Sequence, residues 1–334
     1  MSENVAKPKQ EKLVSLVIPC YNEEKNIERY EAELIPVLED LPYDYEAILV
    51  DDGSTKDDTW GAIKRLSEKF DTVTGLKHSR NYGMGAAYQT GFDHSKGDYV
   101  VVYSSDLEIP PVEIARVVAK MDEGFDLVNT HRVGRWSEGG GLASAIRRVP
   151  SKIANGLIKR ISGVEMHDTG SGLKGFKRFI IENLRIYGDM HRFLPAYAGL
   201  YTKNFCEFEV EYQERTYGES AYGSLMRTFS VFLDLFTMKF MLSFATKPFT
   251  MMPGRLFGST GLVSFSVGFV ATLYALFLKF GLGQPIGQRP LFIGGLLLTV
   301  FGMQLIMTGL LGELMMRTYF ESSHKTPYIV SEEA

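Results

Sequence analysis

Residues 101–111 read VVYSSDLEIPP, an apolar run leading into two hydroxyls, then Asp106 and Glu108 two apart, then Pro110-Pro111. Along a strand, alternate side chains point the same way, so both carboxylates would face one ligand. Two hard oxygen ligands beside a cleft suit Mg2+ or Mn2+ holding a diphosphate. The same letters also describe a solvated strand-to-helix turn, with the proline pair stopping the strand and starting a helix. The flanking sequence has to separate those readings.

Upstream, strands and helices alternate. Residues 13–18 (LVSLVI) are a short apolar run closed by Pro19, the pattern of a buried strand. Asn22-Glu23-Glu24 then opens an amphipathic helix with Ile27, Tyr30, Leu34 and Leu38 on one face. Residues 47–50 (AILV) form a second strand, followed by Asp51-Asp52-Gly53-Ser54. Asp57 or Asp58 can cap the next helix, which carries Ile63, Leu66 and Phe70. A weaker strand at 73–76 leads to the glycine-bearing loop 79–85 (SRNYGMG) and a helix over 86–94. Residues 99–103 are the fourth strand, and 127–130 read as another.

This alternation implies parallel βαβ units, which bind ligands beyond the carboxyl ends of their strands. Those ends are polar here: Tyr21-Asn22-Glu23, Asp51-Asp52, Arg80-Asn81, and Asp106 with Glu108. Four such ends on one sheet edge make a nucleotide-sized site. The fingerprint G-x-G-x-x-G is absent, since Pro19-Cys20-Tyr21-Asn22 stands where it would sit, and Gly83-x-Gly85 lacks the third glycine. No P-loop is present either, which argues against hydride transfer.

Composition narrows the setting. The 334 residues are 23% charged with a net charge of −4, but apolar residues concentrate after about residue 225. Two cysteines, Cys20 and Cys206, make no disulfide framework and fit a reducing, cytosolic setting. The N-terminal MSENVAKPKQEK has no apolar core, so no cleavable signal peptide is expected. The acidic balance argues against a nucleic-acid partner.

The segments PCYNE (19–23), VDDGS (50–54), SRNYG (79–83) and SSDLEIPP (104–111), taken in this order, resemble family 2 glycosyltransferases of the GT-A fold. Within that family they are most similar to the polyprenyl-phosphate sugar transferases, the dolichol-phosphate mannosyltransferases and bactoprenol-phosphate glucosyltransferases. The resemblance spans roughly residues 13–225. It implies an α/β fold with a Rossmann-like, mostly parallel sheet over 13–224, after a polar tail of 1–12. It also implies that Pro19, Tyr21, Glu23 and Asp52 or its neighbour Asp51 hold base and ribose, with Asn22, Asn81 and Ser105 beside the nucleotide sugar. Asp106 and Glu108 would hold the ion. The family's D-x-D-x-Q is altered, because Ser104 replaces the first Asp and Glu108 the Gln. One carboxylate is lost and another gained, so divalent binding is retained with altered geometry.

After 127–130 come His131-Arg132-x-x-Arg135 and a glycine-rich loop, Glu138-Gly139-Gly140-Gly141. Between Gly139 and Arg160 stand Arg147, Arg148, Lys152, Lys159 and Arg160 with no acid, a one-sided charge that points to an anion or a membrane surface. By the resemblance, Arg132, Arg147 and Arg148 receive the lipid phosphate and the leaving diphosphate, for which the planar guanidinium fork is suited. Asp168-Thr169-Gly170-Ser171-Gly172-Leu173-Lys174 resembles the family's Asp-x-x-Ser-Gly-Phe-Arg. Asp168 is then the carboxylate near the acceptor, with a turn or capping role as the alternative. His191-Arg192-Phe193-Leu194 resembles the helix start beside the sugar. Residues 215–220 match Arg-x-x-Gly-x-Ser, which places Arg215 on the phosphates and Ser171 and Ser220 near the acceptor phosphate; Ala221 stands where a basic residue is common.

Residues 225–244 are mostly apolar, with Arg227, Ser230, Asp234 and Thr237 at helical spacing, a stripe that suits helices lying in a membrane interface over 225–255. Residues 256–278 carry no charge for 23 positions, and residues 291–312 none for 22. At about 1.5 Å per residue each crosses a hydrocarbon core of about 30 Å. Two transmembrane helices, 256–280 and 291–316, are expected, with a cytosolic tail over 317–334. One Arg (Arg289) lies in the connection, while Lys239, Lys247, Arg255, Arg317 and Lys325 flank the hairpin. The positive-inside rule puts both termini and the catalytic domain in the cytosol. Gly294, Gly295, Gly302, Gly309 and Gly312 permit close helix packing or contacts in a homo-oligomer.

The resemblance implies transfer of one sugar from a nucleoside-diphosphate sugar, UDP-glucose favoured over GDP-mannose, to a polyprenyl phosphate, with inversion and with Mg2+ or Mn2+ as cofactor. Asp106, Arg132 and Asp168 are the expected catalytic set. The alternatives are a processive polysaccharide synthase, opposed by the missing Q-x-x-R-W spacing at Gln213-Glu214-Arg215, and a membrane scaffold with a decayed nucleotide site.

Overall fold

The structure, a computed structural model, describes residues 10–133, 166–186, 188–213, 253–285 and 290–323. The chain divides into two compact units, 1–242 and 243–334.

The first unit is built on a seven-stranded mixed sheet in the order β3-β2-β1-β4-β6-β5-β7. Strands β1 (Gln10–Cys20), β2 (Tyr43–Asp51), β3 (Val73–Lys77) and β4 (Tyr99–Val102) run parallel, as the alternating sequence predicts. β6 (Lys174–Lys177) is antiparallel to both β4 and β5 (Leu127–Val133), and β7 (Phe205–Glu211) is parallel to β5. The carboxyl ends of β1, β2, β3, β4, β5 and β7 therefore share one edge.

The pleat sorts the apolar runs onto two faces. Leu16, Ile18 and Val101 pack with Ile63, Ile114 and Val117 on one side. Val17, Val100 and Val102 pack with Tyr88, Phe92 and Phe176 on the other. Strands covered on both faces read as continuous apolar runs, which is why 13–18 and 99–103 stand out in the sequence. Each buried Val, Leu or Ile contributes about 1.5–3 kcal/mol relative to exposure.

The helix expected from Asn22 onward is instead three short pieces, α1 (Glu24–Ile27), α2 (Tyr30–Glu33) and α3 (Ile35–Glu39). Pro36 has no N–H to give the carbonyl four residues back, and its ring crowds that turn, so the chain re-starts at Leu34 with Pro36 in the first turn of α3. The apolar face survives the breaks, since Ile27, Tyr30, Leu34 and Leu38 are all buried. Asp58 caps α4 (Thr59–Lys69) by accepting the Gly61 N–H at 3.1 Å. Helices α5 (Met84–His94) and α6 (Glu113–Asp122) complete the βαβ connections, and α7 (Arg178–Asn183) and α8 (Leu194–Ala198) follow β6.

The second unit holds two long helices, α9 (Pro253–Leu282) and α10 (Pro290–Ser323), which extend beyond the expected 256–280 and 291–316. Within them Leu256–Leu282 and Pro290–Met315 each have a mean hydropathy of 2.0 and are long enough to cross a membrane. Their apolar side chains face outward, with Val263 and Met315 both 65% exposed, unlike the core helix of a water-soluble protein. These features are those of a membrane protein.

In lipid there is no hydrophobic gain in bringing two apolar helices together, so close backbone packing has to supply the attraction. Gly302 provides it. A Cβ there would lie 2.3 Å from the Phe265 nitrogen and 2.7 Å from the Gly261 oxygen of α9. Gly295 and Gly309, seven residues to either side, make similar approaches to Thr272 and Gly258. The Ser264 hydroxyl adds a bond to the Leu298 carbonyl at 3.2 Å. Gly302→Leu is expected to separate the helices and lower the thermal midpoint of detergent-solubilised protein by several degrees. Gly294→Leu, on the same helix with open space around it, should leave the midpoint unchanged.

Candidate active site

β4 ends at Val102, so Asp106 and Glu108 do not sit on a strand. The chain turns instead, and two buried tyrosines pin the turn. The Tyr30 hydroxyl donates to the Ser105 carbonyl at 2.8 Å, and the Tyr103 hydroxyl donates to the Ile109 carbonyl. Leu107 lies between the two carboxylates at φ +57°, a left-handed conformation that a branched apolar residue adopts only when its surroundings enforce it. Its side chain is locked in the core. Asp106 Oδ1 accepts the Glu108 N–H at 3.2 Å. Both acids are buried, Asp106 being 4% exposed. They are thus neighbours on one tight turn rather than partners on one strand face.

Ser104 begins that turn and packs against the loop before β6, where a Cβ on Gly172 would lie 2.6 Å from the Ser104 Cβ. The loop brings the second part of the site. Asp168 accepts two bonds from Arg132 of β5, from Nε at 2.8 Å and from Nη2 at 3.1 Å. Arg132 Nη2 also donates to the Gly170 carbonyl at 2.8 Å, and Nη1 lies 3.5 Å from Glu108 Oε2. The Arg132 side chain, 5% exposed, is therefore held between two carboxylates beside the Asp106 turn.

Beneath it lies a layer of polar groups. Glu207 of β7 accepts from the Asp168 N–H at 3.1 Å, from Asn129 Nδ2 at 2.7 Å and from the His167 N–H at 2.8 Å. Asn129 Nδ2 also donates to the Asp168 carbonyl at 2.9 Å. Ser171 and Thr130 share a hydroxyl–hydroxyl bond, and Thr130 donates to the Leu173 carbonyl at 2.8 Å. Lys174, 3% exposed, donates to the Ser171 carbonyl. Burial lowers its pKa from 10.5 to about 7, with Arg132 pushing the same way and Asp168 and Glu207 opposing.

A second cluster forms at the ends of β1 and β2. Asn22, itself at φ +57°, accepts the N–H groups of Thr55 and Lys56 at 3.1 Å, and its own N–H bonds Ser54 Oγ at 2.9 Å. The Glu23 N–H bonds Thr59 Oγ1 at 2.8 Å. Asp52 accepts the Tyr82 and Gly83 N–H groups at 2.9 and 2.8 Å and pairs with His78 Nδ1 at 2.7 Å. It thereby fastens the loop that carries Asn81. Asp51 accepts the Ser54 N–H at 2.9 Å through Oδ1, and its Oδ2 is buried with no hydrogen-bond partner. Pro19 is buried within β1, whereas Tyr21 and Asn81 are exposed at the sheet edge.

The structure thus brings Ser105, Asp106, Glu108, Arg132, Asp168 and Ser171 to one end of β4, β5 and β6, and Pro19, Tyr21, Asn22, Glu23, Asp51 and Asp52 to the ends of β1 and β2. Arg147, Arg148, Arg215 and Ser220 lie outside the described residues, as do Arg135, Lys152, Lys159, Arg160, Ala221 and the 225–244 segment. Sequence reasoning missed Asn129, Glu207, His78 and the burial of Lys174. The alternation in FCEFEVE (205–211) is a strand signal that would have put Glu207 in the sheet.

Asp106 and Glu108 fit a divalent ion by their hard oxygens and their shared turn. Among the described residues no three His, Cys, Asp or Glu side chains form a set that would hold an ion by themselves. Two carboxylates, with the remaining positions left to diphosphate oxygens and water, match the habit of Mg2+.

Comparison with known proteins places the chain. A family model described as Glycosyl transferase family 2 matches residues 15–185. A dodecaprenyl-phosphate galacturonate synthase from Rhizobium johnstonii is 35% identical over 97% of this chain and 94% of its own length. An undecaprenyl-phosphate 4-deoxy-4-formamido-L-arabinose transferase from Shewanella sediminis is 35% identical over 96% of this chain and 92% of its own. Among solved structures, glucosyl-3-phosphoglycerate synthase from Mycobacterium tuberculosis, in complex with Mn2+, UDP-glucose and glycerol 3-phosphate, shares the fold with a TM-score of 0.50. It is 18% identical and aligns over 70% of this chain and 80% of that one.

Lys174 generates a pH prediction. Between about pH 7 and 10 the unfolded chain holds this proton and the folded one does not, so its contribution makes stability rise with pH. Lys174→Met should flatten that rise and raise the thermal midpoint most at pH 7 and below. A pH–stability slope identical to wild type would contradict the buried-amine assignment.

Proposed function

The chain belongs to glycosyl transferase family 2, and from that premise we propose that it moves one sugar from a nucleoside-diphosphate sugar to the phosphate of a membrane polyprenyl phosphate, inverting the anomeric centre. One observation carries the reading most: the buried Arg132, clamped by Asp168, stands next to the Asp106 turn. A phosphate-binding cation and a seat for the donor's metal-bound diphosphate then lie side by side. The names of the two relatives, both polyprenyl-phosphate sugar transferases, support the acceptor.

The acceptor phosphate is ionised near neutral pH, so its oxygen can attack the anomeric carbon without a strong base. Asp168 is committed to Arg132 by two bonds and acts by orienting the guanidinium. Arg132 positions phosphate oxygens and offsets charge developing on the leaving diphosphate. Asp106 and Glu108 would hold Mg2+ or Mn2+, which when bound supplies further neutralisation of that diphosphate. The fold neighbour crystallised with Mn2+ and UDP-glucose supports such an ion. The buried Oδ2 of Asp51 would accept a base N–H, and the base proposed is uracil, that of the sugar nucleotide bound by the fold neighbour. Arg147, Arg148, Arg215 and Ser220 are proposed to complete the phosphate contacts. In this reading 13–224 is the catalytic part, 225–255 the interfacial segment and 256–316 the membrane hairpin, with both termini cytosolic. Glucose is the sugar proposed from the sequence, and the uronate or formamido-pentose named in the relatives is the second reading.

The test is transfer of radiolabel into the organic phase. Purified full-length protein is incubated with undecaprenyl phosphate and UDP-glucose, UDP-galacturonate, UDP-4-deoxy-4-formamido-L-arabinose or GDP-mannose. Labelled lipid is expected with one UDP-sugar, and Asp106→Ala should reduce the rate about 100-fold or more. No labelled lipid with any donor, with or without Mn2+, would overturn the assignment.

A further inference from the structure

His78 stands just past the carboxyl end of β3, and none of the chemistry proposed above uses it. Its side chain is 13% exposed, and both ring nitrogens are engaged. Nδ1 meets Asp52 Oδ1 at 2.7 Å, and Nε2 meets the Thr90 hydroxyl of α5 at 2.9 Å. The His78 backbone N–H donates to the Asp51 carbonyl at 2.8 Å. Asp52 in turn accepts the Tyr82 N–H on the oxygen that faces His78 and the Gly83 N–H on the other. Gly83 caps the start of α5, so Asp52 grips that helix at its first turn while His78 grips it at Thr90. The 79–83 loop is thereby tied to the end of β2. It also lies directly on that end, since a Cβ on Gly53 would stand 2.3 Å from the Arg80 carbonyl carbon. On the loop, the Tyr82 ring sits edge-on to His78 at 5.5 Å, with the Arg80 guanidinium 4.4 Å from its centre.

Ligands of such a sheet lie beyond the strand ends, where this loop stands close to the buried, unpartnered Oδ2 of Asp51. Asp52 already meets the two backbone N–H groups and the His78 ring, so a ribose hydroxyl would have to displace one of them. Resting on the reading of this edge as the nucleotide-sugar site, we propose that His78 is a positioning residue for the donor. It holds, through Asp52, the loop that walls the nucleotide beside Asp51. Asp52 then acts by fixing that loop rather than by touching base or ribose. The cause is geometric. A carboxylate turns about its last single bond, and with only one loop's N–H groups on it, carboxylate and loop can shift together. The imidazole removes that freedom, because Thr90 fixes its far side and its own backbone N–H is fastened to Asp51. What Asp52 needs from position 78 is one N–H at the place of Nδ1. Asn can offer that group, since its Nδ2 is the same number of bonds from the backbone, whereas Leu fills the space and offers none.

The test uses full-length protein in detergent, titrated calorimetrically with UDP or GDP in the presence of Mg2+, and separately with a short-chain prenyl phosphate. His78→Leu is expected to bind the nucleotide on the order of tenfold more weakly than wild type, the cost of a slightly misplaced binding loop. Its affinity for the prenyl phosphate should be unchanged, because the loop is on the donor side. His78→Asn should bind the nucleotide more tightly than His78→Leu and close to wild type. Thr90→Val keeps the bond to Asp52 but loosens the ring, and should weaken nucleotide binding by a smaller factor. Nucleotide affinity in His78→Leu equal to wild type would overturn the proposal and leave the transferase reading intact. So would an equal loss for both ligands, or an Asn variant no better than Leu. Should His78→Leu fail to fold, Thr90→Val decides, an unchanged nucleotide affinity overturning the proposal. A wild-type protein that binds neither UDP nor GDP would overturn the reading of the site itself.

Discussion

A guanidinium withdrawn from water has to be met by anions, and Arg132 sets the terms for the site around it. Charge pairing of this kind adds little net stability, but breaking it is costly, on the order of 3–5 kcal/mol, because a buried charge is left uncompensated. The surrounding structure is built to prevent that. Asp168 is brought in by a loop whose backbone is fastened to Glu207 and Asn129, and Gly170 turns a carbonyl toward the same guanidinium. The antiparallel β6 follows from this, since it returns the chain from the Asp168 loop into the gap between β4 and β5. The mixed half of the sheet is arranged so that residues from three separate stretches, 104–108, 132 and 168–171, meet at one edge.

The parallel half answers a different constraint. Its central strands β1 and β4 are buried on both faces, so polar chemistry is confined to their ends, and there the acids divide the work. Asp52 is used up in holding the 79–83 loop, whereas Asp51 keeps a buried oxygen with no partner. The two long helices solve a third problem, association without hydrophobic gain, by letting backbones approach at Gly295, Gly302 and Gly309.

Much of this was legible in the amino-acid order. Continuous apolar runs marked β1, β2 and β4, and two uncharged stretches marked α9 and α10, because burial on both faces or in lipid leaves an unmistakable composition. The acids at the strand ends were legible as well. What escaped is non-local. Nothing around Asn129 or Glu207 announces that they meet through Asp168, which lies 39 residues from each in sequence. β6 has four residues, one of them glycine, too few to show a period. The left-handed Leu107 changes how Asp106 and Glu108 are presented, and strand alternation cannot foresee it, since only the packing of Tyr30, Tyr103 and the core forces that backbone. The break before α3 was readable in principle, because Pro36 was in plain view, whereas no proline marks the break between α1 and α2.

The most direct measurement is an experimental structure of the full-length protein with UDP and Mg2+. The account predicts the ion on the Asp106 carboxylate at about 2.1 Å, shared with diphosphate oxygens, the Asp51 Oδ2 on a base N–H, and Arg132 still clamped by Asp168 with its remaining donors toward the phosphate seat. A nucleotide bound away from the ends of β1, β2 and β4, or a diphosphate whose ion does not touch Asp106, would contradict it.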